Sequence, residues 1–204
     1  MRKSDRSGLE RPLGMARCAC LGTLLALALV GCGITLDRTP TIPRLYAPDP
    51  HERMGFDPAP AELTPPAGNS PAFTFVAEGV QKYECRAKDG AAAWVGTGPE
   101  ARLYNADDKQ VGRHYAGPTW EYQDGSRVTG SVLAHASSPN PKSVDQLLLK
   151  AQTNSASGLM ARVTFVQRLR TIGGAPPDQG CTLQSVGSSA ETEYTAHYVF
   201  FTPL

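Results

Sequence analysis

Nine prolines lie between Gly33 and the first strongly alternating segment: Pro40, Pro43, Pro48, Pro50, Pro58, Pro60, Pro65, Pro66 and Pro71. Each fixes φ and removes a backbone donor, so this stretch supports neither a helix nor a central strand. A folded core must therefore come from the residues that follow. A flexible coil of about 40 residues spans roughly 35 Å, and more if it is polyproline-like. The stretch reads as a tether, and Leu63 with the prolines beside it is the part suited to packing along a domain edge.

The residues before the tether have the make-up of an export signal. Arg2, Lys3, Arg6, Arg11 and Arg17 carry positive charge, and Leu21 to Val30 is almost wholly apolar. That run is about half the roughly 20 residues a membrane span needs. It ends in Leu29-Val30-Gly31-Cys32, which resembles the lipobox of bacterial lipoproteins. In such proteins the Cys is acylated and becomes the new N-terminus. The resemblance implies a signal peptide over residues 1–31, a lipid on Cys32 and the membrane as a partner through that lipid. The competing reading is an ordinary secretory signal in which Cys32 is incidental. A start at Met15 would leave a compact signal, Met15-Ala16-Arg17 before the apolar core. Two or three acyl chains anchor firmly where one is marginal. Gly33, where Asp would favour the inner membrane in the enterobacterial pattern, points to the outer membrane, facing the periplasm or cell surface.

Removing residues 1–31 changes the charge. The whole chain has 20 basic and 19 acidic residues. The signal holds five and two of them, which leaves 15 against 17, a net charge of −2. No basic excess remains for non-specific nucleic-acid binding, so no nucleic-acid partner is expected. The cysteines divide likewise. Cys18 and Cys20 fall in the signal and Cys32 would carry lipid. Cys85 and Cys181 remain as a pair in an oxidising compartment, where disulfides persist; two buried thiols are the alternative.

From Phe73 the pattern is short and β-like. Phe73–Ala77 and Val80–Arg86 read as strands on either side of Gly79, with Gln81, Tyr83 and Cys85 sharing one face of the second. Glu100–Tyr104 and Gln110–Tyr115 flank a polar hairpin loop. Thr119–Gln123 and Ser126–Ala134 flank Asp124-Gly125, the strongest hairpin signal in the chain. Gln146–Ala151 fits a short buried strand. In Ala161–Thr171, Val163, Phe165 and Leu169 share a face with Gln167, which would need hydrogen-bond partners if buried. Arg162, Arg168 and Arg170 lie opposite and read as an outward basic stripe. Thr192–Thr202 is covered on both faces, as a central strand is. The expectation is an all-β chain: a single antiparallel sandwich or barrel-like domain of about nine to ten short strands, covering residues 63–204 after a tether over 32–62.

Several ordered segments carry a resemblance. They begin with Gly79-Val80-Gln81-Lys82-Tyr83-Glu84-Cys85, then Trp94 and Pro99-Glu100-Ala101-Arg102-Leu103. Gly112 to Trp120 and Asp124-Gly125-Ser126-Arg127-Val128 follow. Then come Leu147-Leu148-Leu149-Lys150-Ala151, Val166-Gln167-Arg168, Thr171-Ile172-Gly173-Gly174, Cys181, and Tyr194 to Phe200. Together they resemble the bacterial and fungal family called domain of unknown function 3455, over roughly Leu63 to Phe201. Two positions depart from its pattern. Gln146 stands where an aromatic residue usually precedes the triple Leu, and no Gly lies near Asp108. The resemblance implies secretion and a β-rich domain, and it supplies no activity or catalytic residues.

The residues themselves give little chemistry. Gly96-Thr97-Gly98-Pro99-Glu100-Ala101 has the form of a dinucleotide fingerprint. That fingerprint needs a helix right after it, and a strand-like run follows instead. No G-x-S-x-G elbow is present. His114, His135 and His197 could hold zinc only if three separate strands converged, so no metal and no cofactor is expected. The candidate ligand-binding residues are His114, Tyr115, Trp120, Tyr122, Arg127 and Arg168. A two-residue Asp124-Gly125 turn would put Tyr122 opposite Arg127, with Trp120 on their face. Aromatic rings beside Arg suit a sugar, peptide or anionic ligand; a plain core aromatic is the competing reading of Trp120.

The expected function is a lipid-anchored envelope module that binds a small molecule or a partner without catalysis. The second reading is a structural or inhibitor-like envelope interaction protein. The third is an enzyme of unrecognised type, for which His114, Glu121 and Arg168 are the first residues to inspect.

Overall fold

The computed structural model describes residues 59–153 and 155–204. Cys32, the signal segment 1–31, Met15 and most of the proline-rich stretch lie outside the described residues. Eight strands run antiparallel in chain order: β1 (Asn69–Lys88), β2 (Ala91–Tyr104), β3 (Gln110–Tyr115), β4 (Thr119–Tyr122), β5 (Arg127–Ala136), β6 (Gln146–Thr153), β7 (Phe165–Gly173) and β8 (Ser189–Pro203). Each pairs with the next, and β8 returns to pair with β1, which closes a barrel. The all-β expectation holds, and of its two forms the chain takes the barrel.

The strand count is eight rather than nine to ten, chiefly because Gly79 does not break its strand. β1 is continuous through it and pairs with β2 on one side and β8 on the other. A Cβ on Gly79 would sit 2.2 Å from the Glu100 carbonyl oxygen and 2.5 Å from the Ala101 Cα. Glycine here permits two backbones to approach closely within one strand. Gly96 to Ala101, the nucleotide-like run, lies wholly within β2, so no helix follows it.

β7 also differs from expectation. Leu159–Arg162 forms a 3-10 turn, and the strand begins at Phe165. Phe165, Gln167 and Leu169 do share a face, but it is the outer one. Arg168 pairs with the inward Tyr198 and Leu147, so it lies on the inner face of the strand, half-buried. The apolar face turns outward because the N-terminal strap covers it. Leu63 is fully buried on the outside of the barrel against Ala136, Leu148, Leu169, Val199 and Phe201. Gln167 Nε2 donates to the Leu63 carbonyl at 2.7 Å, which supplies the partner its burial demands. Burying one Leu in this way contributes roughly 1.5–3 kcal/mol.

The main core fills the barrel. At one end it is apolar: Phe73 stacks on Phe200 at 4.8 Å, and Met160, from the 3-10 turn, is fully buried among Val128, Leu149 and Val163. The β4–β5 hairpin holds that turn. The Asp124 carboxylate accepts the Leu159 N–H at 2.8 Å, and the Ser126 hydroxyl oxygen accepts the Met160 N–H at 3.1 Å. The other end lies beneath the loops 137–145 and 174–188. Val144 N–H donates to the Gly173 carbonyl at 3.0 Å, Ala175 N–H to the Lys142 carbonyl at 3.2 Å, and Lys142 pairs with Asp178.

Candidate functional site

Under those two loops the barrel interior turns polar. The inward positions of β1 place Gln81 and Tyr83 there, β3 brings His114, β4 Trp120, β7 Arg168, and β8 Tyr194 with Tyr198. All but Arg168, which is half-buried, lie at least nine-tenths out of solvent. Alternation alone gathers them: two-residue periodicity sends Gln81 and Tyr83, and Tyr194 and Tyr198, to one face of their strands.

Aromatic contacts fix the centre. The His114 ring stacks on Trp120 with centroids 4.5 Å apart, and Tyr198 meets both edge-on at 5.0 and 5.3 Å. His114 Nδ1 lies 2.8 Å from the Thr119 carbonyl, which can only accept, so the ring proton sits on Nδ1. Burial pushes the His114 pKa down to about 3, and the nearby Arg168 charge acts in the same direction against the Thr119 hydrogen bond. The imidazole is therefore neutral at physiological pH. Burial likewise raises the phenols of Tyr83, Tyr194 and Tyr198, which stay protonated.

Two members of the group have satisfied donors. Tyr83 donates its hydroxyl to the Gly174 carbonyl, and Arg168 Nε donates to the Asp145 carbonyl at 2.9 Å. Four buried atoms do not: Gln81 Nε2, Trp120 Nε1, Tyr194 Oη and Tyr198 Oη make no hydrogen bond of good geometry. Looser side-chain hydrogen bonds still link three of them, Gln81 to Tyr194 and Tyr194 to Tyr198, and Arg168 reaches Tyr198 as well. Nearly all buried polar groups in folded proteins are well paired, so one unpaired indole N–H and three poorly satisfied groups near one cation mark this end as the part of the interior with unmet hydrogen-bonding capacity.

The six candidate residues divide between two faces. His114, Trp120 and Arg168 meet inside. Tyr122 is also inward but lies toward the apolar end, stacked on Phe75 at 5.8 Å. Tyr115 and Arg127 are outside, away from Trp120. The correction for Arg127 is one of register. The β4–β5 turn has three residues, Gln123 to Gly125, closed by Gly125 N–H to Tyr122 O at 2.9 Å and Tyr122 N–H to Ser126 O at 3.0 Å. Gly125 takes φ +83°, the left-handed position such loops require. Arg127 consequently pairs with Glu121, and Trp120 with Val128. Outside, Glu121 accepts from Tyr115 at 2.9 Å and from Arg113 at 3.0 Å. Burial works to raise the Glu121 carboxyl, but these donors outweigh it and hold the pKa below the usual range. His114 and Glu121 thus occupy opposite faces.

His135 lies 3.4 Å from an Asp145 carboxylate oxygen at the barrel surface, and His197 lies on the outer face of β8. Among the described residues no three His, Cys, Asp or Glu side chains gather as a metal set. Cys85 and Cys181 form a disulfide that ties the end of β1 to the loop 174–188. Trp94 Nε1 donates to the Gln179 carbonyl of the same loop at 3.0 Å.

A groove of about 490 Å³ also runs outside the barrel, past Glu78, Arg170, Thr171, Thr195 and His197. It is open, its Arg170 and His197 already have partners, and only its Thr171 hydroxyl is buried and unpaired. The interior cluster, with four poorly satisfied groups and a charge, is the stronger candidate. Of that cluster, sequence reasoning singled out His114, Trp120 and Arg168 and passed over Gln81, Tyr83, Tyr194 and Tyr198. The available signal was the repeated polar residue on strand faces that also carry core residues.

A family model described as "Protein of unknown function (DUF3455)" matches residues 66–202. No curated protein and no solved structure matches the chain.

Proposed function

This chain belongs to the protein family of unknown function DUF3455, and from that premise we propose that it is a lipid-anchored binding module of the bacterial cell envelope. Its lipid is on Cys32, and its ligand is a small molecule held in the polar end of the barrel without being chemically altered. The observation that carries the binding role is the set of four buried polar groups that lack a hydrogen bond of good geometry, beside the half-buried Arg168. An eight-stranded barrel is wide enough to be filled by side chains or to hold one small ligand. The separation of His114 from Glu121 by the barrel wall favours binding over acid–base chemistry. The anchor rests on the Leu29-to-Cys32 motif and on the proline-rich stretch that follows it.

The anchor is tested by feeding an alkyne-tagged palmitate to the producing cells. Label should appear on the wild-type protein and vanish from Cys32→Ala; an unlabelled wild type defeats the anchor. Binding is tested by thermal unfolding of the purified full-length protein against sugars, short peptides and small acids. A rise in Tm with one class is expected, and a flat response to all three would defeat the binding reading.

A further inference from the structure

The poorly satisfied groups at the polar end have one chemistry in common. Gln81 Nε2 and Trp120 Nε1 can only donate, and the protonated phenols of Tyr194 and Tyr198 can donate as well. The Gln81 carbonyl oxygen is not among the unpaired atoms. Gln81 can donate to Tyr194 and Tyr194 to Tyr198, which leaves the Trp120 N–H and the Tyr198 O–H short of an acceptor.

Charge points the same way. Arg168 is the one ionised group that acts on Tyr83, His114, Tyr194 and Tyr198. Among the described residues no carboxylate forms an ion pair with it. Its Nε is engaged by a neutral carbonyl, the Asp145 main chain, and its guanidinium also meets the Tyr198 hydroxyl. His114 is neutral and adds no charge. A half-buried cation without a counter-ion is costly. Buried water would satisfy the neutral donors, but it brings no negative charge to set against the guanidinium.

Resting on the binding reading above, we infer that the capped end of the barrel takes a small oxyanion, a carboxylate or a phosphate. Arg168 is its charge anchor, the Trp120 N–H and the Tyr198 hydroxyl are its hydrogen-bond donors, and Gln81 and Tyr194 hold Tyr198 in place. Arginine suits this role because its planar fork matches two oxygens of such a group. The roof favours a compact anion. The loops 137–145 and 174–188 are bonded to each other and clasped to β1 by the Cys85–Cys181 disulfide, so there is little room for a polymer to thread between them.

The test is calorimetric titration and thermal unfolding of the full-length protein with inorganic phosphate, acetate and succinate, beside glucose and glycerol as neutral probes. At least one oxyanion should bind and raise Tm, and the neutral probes should not. Whether phosphate or the carboxylates act separates the two sources of that chemistry. Arg168→Leu should abolish the shift, and Arg168→Lys, which keeps charge but loses the fork, should weaken binding about tenfold or more. Arg170→Leu, on the outside of the barrel, should leave it unchanged. Should Arg168→Leu fail to fold, Tyr198→Phe removes one donor alone and should weaken binding severalfold.

The overturning outcomes are distinct. A shift with glucose or glycerol and none with the oxyanions sinks the ligand class and leaves the binding reading standing. An oxyanion shift that survives both Arg168→Leu and Tyr198→Phe means surface ion binding and sinks the assignment. Flat responses to every probe here and to the wider panel above sink both, and the cluster is then a hydrated part of the core.

Discussion

His114 couples the chemistry of one residue to the stability of the barrel. Its pKa is about 3 in the folded chain and about 6.5 in an unfolded one. Between those values the unfolded state holds more protons, so stability rises with pH across this window. The contribution is fully present above pH 6.5 and is lost as pH falls toward 3, by up to about 1.4 kcal/mol per pH unit. Chemical denaturation at pH 7 and pH 5 should show a loss of about 2 kcal/mol from this group, and His114→Gln should flatten that difference. An unchanged slope in the variant would show that His114 does not carry it. His114, Trp120 and Arg168 were legible singly in the sequence because each is an unusual side chain in a β segment. Their meeting was not, since it depends on which face of each strand turns inward. Arg127 shows how sharp that dependence is. A turn of three residues in place of two moves every later side chain to the opposite face.

At the scale of elements, the alternation in the strand ending at Thr202 was plain, because there one period runs unbroken. The faces of β7 were harder to assign. Its outer side is apolar only because Leu63, about a hundred residues earlier, lies over it, and no local pattern announces a cover supplied from so far away. β1 was cut at Gly79 for a related reason: a glycine that breaks a strand and one that lets two strands touch look alike in sequence. The disulfide is the other long-range element. It closes a separation of 96 residues, worth roughly 4–5 kcal/mol if chain entropy dominates. The double variant Cys85→Ser, Cys181→Ser should lose stability of that order. Its Val144 amide, which donates across to the loop 174–188 side at Gly173, should exchange hydrogen faster. Equal denaturation midpoints for oxidised and variant protein would remove the disulfide from the account of the cap.

For the whole molecule, the decisive fact is the seam between the first strand and the last. β1 pairs with β8 from Asn69↔Pro203 to Glu84↔Ser189, one of the two longest ladders in the barrel. A chain ending at Gly187 lacks β8 and should be insoluble, with β1 and β7 left as bare edges. A synthetic peptide of Ser189–Pro203 added during refolding should restore a soluble barrel by strand addition, read by the return of near-ultraviolet circular dichroism. No recovery at any peptide excess would show that closure needs a connected chain. The seam also has a consequence in time. Synthesis delivers β1 long before the strand that completes it, so β1 must wait with one edge unmade. Lys82, Glu84, Arg86 and Lys88 stud the waiting strand with charge of both signs, a pattern that discourages a foreign strand from docking. They serve the newborn chain in transit, before the finished barrel exists.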